Sequence, residues 1–308
     1  MLTNNIPLNS IHWYTIMGEY MGKRIFLFLL TNLLVVTAVS VVLSIIGLDG
    51  NSISGLAIIC FIYGMGGSFI SLYISKWTAK KFYKVKIIKE TNKNPNKIFL
   101  YNSVKTISEK ANIKMPEVGI YDSTDPNAFA TGPNQNNSLI AFSSGLIEGL
   151  NEEELQAVIA HEMSHIKNGD MITMTLLTGV ANAFVMFLAR VVATIIIELI
   201  SDEDGAVGYW GYFIIVMILQ TIFMVLAFIP INAFSRYREY QADSGAAGLT
   251  NTLSMINALS ALERISEGLA PVKRDEYSVA KINSKSKMFL FSTHPTINQR
   301  INALKKHS

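Results

Sequence analysis

Two short segments of the 308-residue chain carry side chains that can do chemistry together. The first is His161-Glu162-Met163-Ser164-His165. Residues four apart in a helix share one face, so both imidazoles can reach one metal ion, with Glu162 beside them within reach of a water held there. The chain has 5 histidines, and chance would produce this pattern in about one of 250 sequences of the same composition. The plain alternative is a pair of surface histidines. It is disfavoured because Ala157-Val158-Ile159-Ala160 makes the preceding turn apolar, where unpaired rings would need partners. A catalytic zinc site takes three protein ligands and keeps one position open, so a third ligand must come from elsewhere in the chain. Arg238-Glu239-Tyr240-Gln241-Ala242-Asp243 offers two carboxylates four apart, one for the metal and one for the free ring nitrogen of a ligand histidine. By spacing alone this segment describes a solvated acidic helix face better than a ligand pair.

The elements that must bring these segments together are membrane helices. Charged residues are 16% of the chain and hydrophobic residues 50%, and mean hydropathy is +0.32. That composition argues against a soluble cytosolic protein and excludes disorder. A net charge of +3 gives little footing for nucleic acid. The lone Cys60 excludes an intramolecular disulfide and a cysteine-based zinc finger. Four long apolar runs stand out, at residues 25–48, 53–75, 171–200 and 206–233; the third is interrupted by Arg190 and Glu198. Each is long enough to cross a hydrocarbon core of about 30 Å. The first run is too long and too continuous for a cleaved signal peptide. Lys23 and Arg24, the lysines from 76 to 89, and Arg236 and Arg238 flank the runs on one side. Asp49, Asp202, Glu203 and Asp204 mark the hairpin tips. Both termini and residues 77–170 are therefore expected in the cytoplasm, with the lysines acting as a positive flank that also attracts anionic lipid. Arg190 is expected to snorkel to the far interface.

This divides the chain into an N-terminal cytoplasmic segment (1–24), a membrane hairpin (25–75), a first catalytic part (76–170), a second hairpin (171–233) and a second catalytic part (234–308). An even number of crossings puts both catalytic parts on one side. A helix is expected over 96–112, strands over 118–121, 128–131 and 138–142, and a helix capped by Asn151 and Glu154. If the helices continue out of the membrane, His165 and Glu239 lie about 10 to 15 Å from the same membrane surface, which favours Glu239 as a ligand over the solvated reading.

At this point the chain resembles the HtpX family of membrane-embedded zinc endopeptidases. The likeness rests on the His161 to His165 helix, the Glu239 to Asp243 helix after a membrane hairpin, and the strand Asn127-Ala128-Phe129-Ala130-Thr131-Gly132. It implies a helical membrane protein with four transmembrane helices and a cytoplasmic, mainly α, zincin-like α+β domain carrying a small β-sheet. It implies one Zn2+ per chain on His161, His165 and Glu239, with Glu162 as catalytic base and Asp243 orienting a ligand imidazole. His294, in Thr293-His294-Pro295, resembles a family element and is a candidate donor to the reaction oxyanion; a structural histidine at a helix start is its alternative. Asn127, Ala128, Phe129 and Ala130 would form an edge strand pairing with extended substrate, or else a buried strand without substrate contact. The implied partners are polypeptide substrates, foremost damaged or misfolded membrane proteins, and the lipid bilayer of the cytoplasmic (inner) membrane, where the role would be quality control. Two rivals are a CAAX-type prenyl endopeptidase, expected to have more spans, and a transporter with a structural zinc site, disfavoured because the runs contain so few ionisable residues.

Overall fold

The computed structural model describes residues 52–200, 208–266 and 292–306. The expected first membrane run lies outside them. By internal contacts the chain divides at Ile59/Cys60, and the metal-binding part belongs wholly to the second unit, Cys60–Ser308. The described elements are α1 (Ile53–Phe82), β1 (Lys86–Ile87), α2 (Pro95–Ala111), β2 (Glu117–Tyr121), β3 (Ala128–Asn134) and β4 (Asn137–Ser143). They continue with α3 (Ser144–Gly149), α4 (Glu152–Asn168), α5 (Asp170–Ile200), α6 (Tyr209–Leu249), α7 (Thr252–Ser266) and α8 (Ile297–Lys306).

Among the described residues, α1, α5 and α6 are long and apolar enough to cross a membrane. The α6 helix continues through Pro230 for 41 residues, about 60 Å, roughly twice a hydrocarbon core. Its last turns therefore project beyond the apolar part and carry Glu239 and Asp243 with them. Arg190 does not extend toward the far end of α5. Its Nη1 donates back to Met186 O, one turn toward the helix start, at 2.9 Å, because a helical carbonyl with a free lone pair is nearer than the interface.

Outside the apolar parts, the strands form one mixed sheet in the order β1-β2-β4-β3. β2 and β4 run parallel, while β1 and β3 pair antiparallel to their neighbours. β4 is buried along nearly its whole length rather than on alternate residues, the pattern of a strand covered on both faces. Leu100 and Val104 of α2, Ile140 and Phe142 of β4, Ile159 and Met163 of α4 and Met255 and Leu259 of α7 share one core. β3 is a sheet edge and packs against α4 and α5.

Lys76 and Lys80, at the end of α1, both pair with Glu117 of β2. Lys76 also donates to Asn137 Oδ1 at 2.7 Å. The sheet is thus tied to the lysine-bearing end of a membrane helix.

Candidate metal centre

α4 begins with a reciprocal cap. Asn151 Oδ1 accepts from the Glu154 N–H at 2.9 Å, and Glu154 Oε2 accepts from the Asn151 N–H at 3.0 Å. Leu155, Val158, Ile159, Met163 and Ile166 are buried, which fixes the rotation of the helix and turns His161 and His165 to a common side. The helix ends at Gly169, whose φ of +70° is a left-handed cap favouring glycine. The chain turns there directly into α5, placing Asp170 beside the last turn of α4.

α6 reaches this face because Gly245 has no side chain. A Cβ there would lie 2.6 Å from Ser164 Oγ and 3.0 Å from Ser164 Cβ. The close approach buries Glu239 and Asp243, 3% and 1% exposed, against the two histidines.

His161 Nε2 and His165 Nε2 are 3.2 Å apart. Glu239 Oε2 lies 3.6 Å from the first and Oε1 3.5 Å from the second. Zinc bonds of about 2.0 to 2.2 Å in a tetrahedron require ligand edges of about 3.3 to 3.6 Å. One ligand atom from each residue lies within 4.8 Å of the other two, so a small closure brings the set to those edges around one zinc ion, and two imidazole nitrogens with one carboxylate leave the fourth position open.

The other nitrogen of each ring is also engaged. His161 Nδ1 is 3.0 Å from Asp243 Oδ1, and His165 Nδ1 is 2.6 Å from Asp170 Oδ2. A carboxylate behind each ring fixes its tautomer and orientation and makes the metal-facing nitrogen more basic. Arg300 of α8 closes the set, with Nε donating to Asp243 Oδ2 at 2.8 Å and Nη2 to Oδ1 at 2.5 Å. Its Nη1 is 3.6 Å from Glu239 Oε2.

Burial works against a charged His165, but the bonds to Asp170 and Glu239 outweigh it and raise its pKa to about 9. His161 is raised by the same balance: burial opposes, and Asp243 and Glu239 prevail. Burial likewise disfavours the charged form of Arg300, yet Asp243 holds it above its ordinary value.

Glu162 is half-buried and forms no hydrogen bond or ion pair among the described residues. It lines a cavity of about 170 Å3 together with His161, Glu239, His294, Arg300, Asn127 and Ala128. That is room for a few waters or a short piece of chain.

His294 precedes α8 and places Nδ1 3.1 Å from Glu239 Oε2, with its side chain 64% exposed. Asn127 is committed to β4: its carbonyl accepts from the Ser143 N–H and its own N–H donates to Ser143 Oγ, both at 2.9 Å. Since backbone groups alternate sides along a strand, Phe129 also faces β4. Ala128 and Ala130 turn their N–H and C=O groups to the open edge.

The structure thus brings together His161, Glu162, His165, Glu239, Asp243 and His294, with Asn127 and Ala128 at the rim. Sequence reasoning missed Asp170, Arg300 and Gly245. For Asp170 a signal existed, a carboxylate five residues after His165 across a glycine. Arg300, six residues after His294, carried none.

A family model described as Peptidase family M48 matches residues 99–308. The chain is 47% identical over 292 residues to Protease HtpX of Aeromonas hydrophila, covering 92% of this chain and 99% of that protein. It is 46% identical over 290 residues to Protease HtpX of Shewanella pealeana, covering 92% of this chain and all of that protein. Among solved structures it resembles S. mikatae Ste24p with a TM-score of 0.62 at 18% identity. That match covers 95% of this chain and spans 66% of the length of the Ste24p chain, a likeness of fold.

Proposed function

The chain belongs to the HtpX family within peptidase family M48, and from that premise we propose that His161, His165 and Glu239 hold one zinc ion at which peptide bonds of membrane proteins are hydrolysed. It is a membrane-embedded metalloendopeptidase. The observation that carries the site assignment is the convergence of His161 Nε2, His165 Nε2 and the Glu239 carboxylate, whose two oxygens each lie 3.5 to 3.6 Å from one ring, at the wall of a cavity that also holds Glu162.

Zinc bound there supplies Lewis acidity that polarises a carbonyl and lowers the pKa of a water to about 7. The remaining work falls to the chain's own residues. Glu162, without a competing hydrogen-bond partner among the described residues, takes a proton from the attacking water and later delivers it to the leaving nitrogen. Asp170 and Asp243 keep both imidazoles in the tautomer that presents Nε2, and Arg300 holds Asp243 ionised. His294 directs Nδ1–H at Glu239, and in its imidazolium form the second N–H, on Nε2, donates to the oxygen of the tetrahedral intermediate. Ala128 and Ala130 offer backbone donors and acceptors to an extended substrate, so binding does not depend on one side-chain sequence.

In this reading the chain crosses the cytoplasmic membrane four times with the metal domain in the cytoplasm, supported by the lysines at the end of α1 and the acidic hairpin tips. Its substrates are damaged or misfolded membrane proteins, a quality-control role consistent with a site held close to the bilayer.

The test is Glu162→Gln in detergent-solubilised protein. The amide keeps the shape of the side chain but cannot accept the proton. Zinc content should stay at one per chain while casein cleavage falls by several orders of magnitude. Substantial cleavage by this variant would remove Glu162 from its role.

A further inference from the structure

Away from the metal, α1 and α5 carry polar residues within their apolar stretches. The helices touch closely at one level. A Cβ on Gly64 would fall 2.3 Å from Ala183 N, and one on Gly179 would fall 2.8 Å from Met65 Sδ. Nearer the metal domain they part and leave a cavity of about 330 Å3 lined by Gly67, Ser68, Ser71, Thr175, Thr178 and Asn182. Measured along the helices, its lining lies about 6 to 18 Å from the level of Lys76 and Asp170, within the apolar layer.

A polar group in hydrocarbon without a partner is costly. Thr175 satisfies itself by donating to Met171 O at 2.8 Å. Ser68 does not. It is 9% exposed, lines the cavity and has no hydrogen bond, and Ser71, Thr178 and Asn182 are equally unpaired among the described residues. Gly66 and Gly67 have no atom within 4 Å of where a Cβ would stand, so a backbone can come close on that side. Hydroxyls, an amide and small residues at membrane depth are the features with which one transmembrane helix holds another.

A second observation gives the cleft a direction. The β3-β4 hairpin sits over its mouth: Lys76 bonds Asn137, and Gln135 Nε2 donates to Lys167 O at 2.5 Å, just before α5 begins. The opposite end of β3, at Ala128, lies in the wall of the metal cavity. The outer edge of β3, broken by Pro133 and the bulge between Thr131 and Asn134, therefore leads from the membrane cleft to the cavity of Glu162.

We propose that the α1/α5 cleft holds a transmembrane helix of the substrate, so that the segment leaving the membrane is fed along β3 and cut at a set distance from the bilayer. This rests on the proteolytic reading above and names its substrate class: single helices with polar residues near their cytoplasmic end. From Asn134 to Ala128 is six residues of strand, about 20 Å. The scissile bond should thus lie about six to ten residues from the end of the substrate span.

The test uses the full chain in phospholipid vesicles with one cleavable segment in two forms, one fused to a transmembrane helix carrying Asn and Ser, the other free in solution. Spacers of 2, 6, 10 and 20 residues separate span and segment. Expected results are a cut that keeps its distance from the span as the spacer changes, and poor cleavage when the segment lies wholly within the first few residues. Ser68→Leu with Asn182→Leu should lower the ratio of anchored to free cleavage at least tenfold. Where the leucines reduce both forms, Ser68→Ala with Asn182→Ala, which add no bulk, decide by the same ratio. A cut that follows the segment's sequence whatever the spacer, or a ratio unchanged because lipid, water or residues 25–48 fill the cleft, would overturn the proposal. Loss of cleavage of the free segment by the unmodified chain would instead refute the proteolytic reading.

Discussion

Asp170→Asn separates two opposing effects on zinc affinity. Asp170 Oδ2 lies 2.6 Å from His165 Nδ1 and, with Glu239, raises that histidine to about 9 against burial. Zinc must displace this proton. At pH 7 only about one His165 in a hundred is neutral, a cost of about 2.7 kcal/mol for two units. The same carboxylate orients the ring and strengthens its metal-facing nitrogen, which is worth about 10 to 100-fold in affinity. Replacing the charge by an amide removes the orienting contribution and the largest of those that raise the histidine, while Glu239 and Glu162 still raise it. Near pH 7 the two losses oppose each other, so affinity should fall less there than at high pH. At pH 9.5 the proton has already left, and the variant should bind zinc about 10 to 100-fold more weakly. Competition with a chelator from pH 6.5 to 10 measures this. Between pH 7 and 9, log K should rise less steeply in the variant than in the parent. An equal loss at every pH would show that Asp170 does not hold His165 protonated. Without zinc the sign is also fixed. A histidine whose folded pKa exceeds its unfolded value of about 6.5 contributes stability below that pH, and loses it as pH rises through about 9.

Gly245→Val places three carbons where Ser164 Oγ leaves 2.6 Å for the first. It should push α6 off α4, destabilise the fold by about 1 to 3 kcal/mol in denaturant titrations and weaken zinc binding, whereas unchanged affinity would show that the approach does not position Glu239. Glu239→Ala should lose most of the zinc. His294→Ala should keep it while turnover falls by about 10² to 10³, the size of one lost oxyanion donor; the reverse pattern in metal analysis and steady-state kinetics would exchange their assignments.

The helix bearing His161 and His165 was legible because its signals are local, the Asn151/Glu154 cap, the apolar stripe and Gly169 at its end. The three core strands were legible for the same reason, although each is longer than its apolar run: β3 extends to Asn134 because pairing with β4 continues through Gly132 and a bulge. β1 was missed, since Lys86–Ile87 is two exposed residues with no pattern. The meeting of Glu239 with the histidines could be anticipated only through membrane geometry, since a hairpin of two apolar runs, about 70 residues of chain, separates them. Asp170 was read as the boundary of an apolar run, and only the left-handed turn at Gly169 brings it back to His165. Arg300 acts through a bidentate pair with Asp243 across 57 residues, a contact without any local sequence signal. Gly245 is one glycine in a helix, and its function is the room it leaves for a neighbouring helix.

Zinc-edge anomalous diffraction on crystals of the full chain, with metal analysis of the same preparation, tests the central claim most directly. One zinc per chain should appear about 2.0 to 2.2 Å from His161 Nε2, His165 Nε2 and Glu239, with Glu162 outside the ligand set. An ion ligated by His294 or Asp243 in place of Glu239, or none between the two histidines, would contradict the account.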